Sequence, residues 1–180
     1  MTLFEYIAIA YSMVGSFAVL RALSGIPHAI QDGKRYWVHL TWLFATLGTV
    51  LLSFWAFWWS RDVLWNIVSF VTVLASPGIL YVLVSLLVPE NPETVDSWRD
   101  HFYAVRLRLF LIAIAWDLMT YLGAALRPDH SPSVAVFGSL IAIHLTGAIS
   151  REPRVQALLA GTIPIMMAAI GLAFFFQPAQ

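Results

Sequence analysis

Hydrophobic positions in this chain come in six near-continuous runs, with the polar residues gathered between them. The runs cover about residues 3–23, 36–59, 63–88, 101–125, 133–149 and 155–176. A helix needs about 20 mostly apolar residues to cross a hydrocarbon slab. All six runs qualify, the fifth only just. The runs do not alternate with period two, and an open sheet in lipid would leave its backbone groups unsatisfied. The pattern therefore predicts an all-α fold: a polytopic integral membrane protein, a six-transmembrane-helix bundle forming one domain over residues 1–180. Only Ser60, Arg61 and Asp62 separate the second and third runs, which implies a tight antiparallel hairpin.

The breaks between runs carry their own signals. Gly25 and Pro27 are expected to end or bend the first helix, and Asp32-Gly33 to turn the chain. The third connection, PENPETVDSWRD, is the longest polar piece. Its prolines stop the third helix, and Thr94 or Asp96 is the expected cap of a short segment leading into the fourth. Pro77-Gly78 and Pro164 interrupt the third and sixth runs, where each proline frees a carbonyl one turn earlier and permits a kink.

Composition rules out a water-soluble reading. Hydrophobic residues make up 60% of the 180 positions, charged residues 11%, and mean hydropathy is +0.79. A chain this short could not bury six such helices on all sides without a bilayer. Lys plus Arg equals Asp plus Glu, so charge points to no nucleic acid partner. With no cysteine, thiolate metal sites and cysteine nucleophiles are excluded. The N-terminus lacks the basic start of a cleavable signal, so the first run reads as a retained span.

Basic residues set an orientation. Arg21, Lys34, Arg35, Arg99, Arg106, Arg108, Arg151 and Arg154 lie at the odd-numbered connections, whereas Arg61 and Arg127 lie at the even ones. The positive-inside rule then places the odd connections in the cytoplasm and both termini outside. Trp55, Trp58, Trp59 and Trp65 would anchor the outer interface. Tyr36, Trp37, Trp42, Trp98, Phe102 and Tyr103 would anchor the inner one.

Candidate chemistry centres on the fourth run. Arg106, Phe110, Ala113, Asp117 and Tyr121 share one helical face, with Thr120 beside it. Asp117 stands ~24 Å above His101, deep enough for a carboxyl to be a functional hypothesis or a packing device. His144 is expected ~10 Å above Arg151, too far below Asp117 to touch it without intervening water. A haem would need imidazoles facing each other from two helices, and His39 with His144 is the pair to test. No other cofactor is expected. No metal-binding spacing, P-loop, dinucleotide fingerprint or nucleophile elbow occurs, so nothing supports an enzyme.

The string Tyr36-Trp37-Val38-His39-Leu40-Thr41-Trp42, then Phe54-Trp55 and Trp58-Trp59, resembles a group of small bacterial polytopic inner-membrane proteins. The stretch from Pro89-Glu90 to His101-Phe102-Tyr103 and Arg106 agrees with it. The resemblance implies a bacterial inner-membrane location and no activity. Three functional expectations remain open. The first is a homo-oligomeric channel or transporter for protons or small cations. In it Asp117, Thr120, Tyr121, His144 and Arg106 line the path and Pro77-Gly78 form a hinge. The second is a sensor or accessory subunit that docks a cytoplasmic protein between Pro89 and Arg108. The third is a haem-binding electron-transfer protein.

Overall fold

The computed structural model describes residues 2–61, 65–125 and 132–175, and excludes the side chains of residues 59, 170 and 173–175. Among these residues there are six α-helices: α1 (Leu3–Ala29), α2 (Trp37–Phe57), α3 (Ile67–Leu87), α4 (Trp98–Ala125), α5 (Val134–Ile149) and α6 (Pro153–Phe175). Among the described residues there is no strand. The helices α1, α2, α3 and α4 are long and apolar enough to cross a membrane, and α5 is a shorter apolar helix. The protein is a polytopic helical membrane protein.

Several boundaries differ from those expected. Neither Gly25 nor Pro27 ends α1, which runs on to Ala29. Gly25 is instead a close-packing position, because a Cβ there would lie 2.3 Å from a Val88 methyl. The link between α2 and α3 is longer than the three residues Ser60–Asp62. A short turn follows α2 at Trp58–Ser60, and α3 begins only at Ile67. Asn66 fixes that start, its side chain accepting from the amides of Val68 and Ser69. Asp62 and the connection around Arg127 lie outside the described residues, as does the end of the sixth run. Neither Thr94 nor Asp96 caps the start of α4. Ser97 does, accepting from the Asp100 amide at 3.2 Å. Gly33 turns the chain with φ +81°, a conformation that glycine adopts without penalty.

The bundle is built around α3, which packs against α1, α2 and α4. Leu80, Val84 and Leu87 of α3 meet Ala18 and Ala22 of α1, Leu43 and Val50 of α2 and Phe102 and Phe110 of α4 in one core. α5 rests chiefly on α4 and α6 chiefly on α2, and the two touch each other only lightly. Trp42, Trp98 and Phe102 belong to this core rather than to an interfacial belt, being at most 5% exposed. Trp37, Trp55 and Trp58 keep about half their surface exposed, as anchors at a headgroup layer would.

Candidate functional site

Asp117 and His144 are in contact. The His144 Nδ1–H donates to Asp117 Oδ2 at 2.7 Å, and both residues are buried. This corrects the expectation that they stand too far apart, and two features of the geometry account for it. The height of Asp117 is counted from His101 and that of His144 from Arg151, and these origins are not level. Arg106 of α4 reaches the Ser150 carbonyl, and the Phe110 ring lies against Gly147. The base of α5 therefore sits about 7 Å above His101, which leaves roughly 7 Å between the two residues. In addition, side chains lean toward the N-terminus of their own helix. In this antiparallel pair Asp117 leans toward one end of the bundle and His144 toward the other, so they meet.

The rest of the pocket is aromatic. Trp42 of α2 lies 5.7 Å from the His144 ring, centroid to centroid, and Phe110 lies 6.1 Å away. Trp42 and Phe110 meet edge to face at 4.9 Å. His144 Nε2 has no hydrogen-bond partner among the described residues, and the side chain keeps 11% of its surface exposed. A carboxylate on Nδ1 fixes the tautomer, so the lone pair sits on Nε2 and points away from the acid.

The other expected pathway residues have different surroundings. Neither Thr120 nor Tyr121 hydrogen-bonds Asp117, and Tyr121 packs its ring on Phe137 of α5. Arg106 is buried against the end of α5. Its Nη1 donates to the carbonyls of Gly147, at 2.6 Å, and Ser150. Gln156 of α6 donates to the same two carbonyls. Together they cap the C-terminal end of α5, where unpaired carbonyls and the negative end of the helix dipole favour donors and cations. Pro77 is buried within an α3 that runs unbroken through it, and Gly78 faces open space.

His39 belongs to a second cluster. Its Nε2 donates to Leu87 O at 3.0 Å, and its ring stacks on Trp98 at 4.7 Å. His101 Nε2 donates to Leu86 O, and Arg21 Nε to Val88 O. Three side chains from α1, α2 and α4 thus satisfy the last carbonyls of α3. Sequence reasoning missed this cap. Its signal was a basic or imidazole residue at the same end of three separate runs, opposite the Pro89 stop. His39 and His144 hold different partners and are not brought together, so they do not form a facing ligand pair. No group of three or more metal-binding side chains occurs among the described residues.

No protein-family model matches the chain, and no solved structure matches it. Three curated proteins do. The chain is 31% identical over 98 residues to the cytochrome c-type biogenesis protein CcmF of Haemophilus influenzae, and 31% to that of Escherichia coli. It is 33% identical over the same length to the cytochrome c-type biogenesis protein CycK of Rhizobium meliloti. Each match takes in 50% of this chain and only 14% of the relative.

Proposed function

We propose that this chain is an accessory protein of the bacterial inner membrane that serves cytochrome c-type biogenesis and that His144 would hold haem. The process is suggested by the likeness of half the chain to three proteins named for it. The chemistry rests on the Asp117–His144 hydrogen bond. An outer carboxylate orients an imidazole and fixes its tautomer. His144 would hold the iron, Asp117 would orient His144, and Trp42 and Phe110 would keep water from the ring. Bound haem would supply the redox chemistry, which belongs to the cofactor. Of the two expected ligands only His144 would be available to hold the group, because His39 is engaged with α3. In this reading the run from Pro89 to Arg108 is the docking surface for the partner. It is held in place by Lys34 Nζ donating to Val95 O at 2.9 Å and by Trp98 Nε1 donating to His28 O.

The test is the absorption spectrum of protein purified from cells supplied with a haem precursor. Wild type is expected to show a Soret band that His144→Ala abolishes. Asp117→Asn should retain haem roughly tenfold less tightly, in the range for loss of an outer partner. Wild type without a Soret band would overturn the haem reading.

The same buried pair favours a second reading, a proton site within a homo-oligomeric conduit. Proton flux in liposomes that is equal for wild type and Asp117→Asn would remove Asp117 from it.

A further inference from the structure

We infer that the groove between α2 and α6 holds an acyl chain of an anionic phospholipid whose phosphate is bound at the groove's foot by Arg151 and Arg154. The groove has a volume of about 390 Å³ and is lined by Thr41, Phe44, Ala45, Gly48, Pro164 and Met167. Gly48 and Thr49 face Met167, with the Thr49 hydroxyl 3.7 Å from its sulfur. The two helices run in the same direction, so stepping down eleven residues from Gly48 and Met167 reaches Trp37 and Gln156 together. Pro153, the first residue of α6, lies on the face of Pro164 about 16 Å below it. The lining is apolar and ends at Thr41 and Pro164; the half-exposed Trp37 and the first turn of α6 stand about 6 Å and about 16 Å further down on the same faces.

That foot is cationic. Arg151 and Arg154 are exposed. Neither makes an ion pair among the described residues, and Glu152 of the same turn pairs with neither. By contrast, Arg35 is 3.8 Å from Asp32. Directly behind the turn lies the Arg106 guanidinium. It is 4% exposed, and among the described residues it has no carboxylate partner and its Nε has no hydrogen bond. Its Nη1 donates to the Gly147 and Ser150 carbonyls. The positive end of the 23-residue α6 dipole lies at the same place, beside the negative end of α5, so the arginines carry the net charge there. Cations at the foot of an apolar groove match a phosphate carrying a hydrocarbon tail. A free phosphate would use the cations and leave the groove idle. This inference is independent of the haem reading.

Native mass spectrometry in a neutral detergent tests it, titrating phosphatidylglycerol, phosphatidylcholine of the same acyl chains, and inorganic phosphate. Wild type is expected to bind phosphatidylglycerol roughly tenfold or more tightly than phosphatidylcholine, as two surface arginines would provide. Arg151→Gln with Arg154→Gln should abolish that preference, and Arg99→Gln, elsewhere on the same end, should keep it. Gly48→Leu, which fills the groove, should weaken both lipids. Equal binding of the two lipids by wild type would overturn the proposal. So would an equal loss in Arg99→Gln, or phosphate displacing phosphatidylglycerol with no effect of Gly48→Leu.

Discussion

A carboxyl inside a bilayer is tolerated when another protein group takes its place in the solvent shell. Asp117 meets that condition through a single imidazole, at 2.7 Å. Replacing it separates two contributions. Asp117→Leu strands a buried Nδ1–H and should cost about 1–3 kcal/mol. Asp117→Asn keeps an acceptor and should cost less. Thermal unfolding in detergent is the measurement, and equal losses would mean that the hydrogen bond adds little beyond packing. At this scale the sequence was partly legible. Residues sharing a face with Asp117 could be named from spacing alone, and Arg106, Phe110 and Ala113 are buried with it. His144 as its partner could not be named, because α5 has no fixed height until α4 supplies one. Trp98 was misread for a related reason. An indole near a helix end looks interfacial, yet this one is enclosed by His39 and the His28 carbonyl.

Among the elements, α5 depends most on its neighbours. It has 16 residues, about 24 Å of helix against a hydrocarbon thickness of about 30 Å. It is seated on α4 through Gly147, where a Cβ would come within 2.6 Å of the Phe110 ring. Gly147→Ala should therefore destabilise the protein by about 1–3 kcal/mol through overpacking. Gly123→Ala, with nothing within 4 Å, should be neutral or stabilising by up to about 1 kcal/mol. The same thermal measurement compares them, and the reverse order would contradict this seating of α5. Helix starts were the least legible feature. Asn66 and Ser97 are cap residues by type, but the apolar run begins before Asn66, and Ser97 stands beside Asp96 and near Thr94. Only the hydrogen bonds choose between them.

For the whole molecule, the basic residues predict a sidedness that labelling can check. The chain has no cysteine, so single cysteines report cleanly. In intact cells an impermeant maleimide should label Ile67→Cys, at the exposed start of α3. It should label Glu93→Cys only after permeabilisation. The opposite result would invert the assignment of both termini to the outside.

Hydropathy alone determined the six helices and their order, since a run of apolar residues in lipid has no alternative to satisfying its backbone internally. It also singled out Asp117, because a charge among apolar residues stands out in one dimension. The tertiary structure decided which polar groups face one another: His144 on Asp117, Arg106 and Gln156 on the end of α5, and His39, His101 and Arg21 on the end of α3. Each of these contacts joins residues from different helices. Its existence depends on relative height and rotation, which packing sets and a linear pattern does not contain.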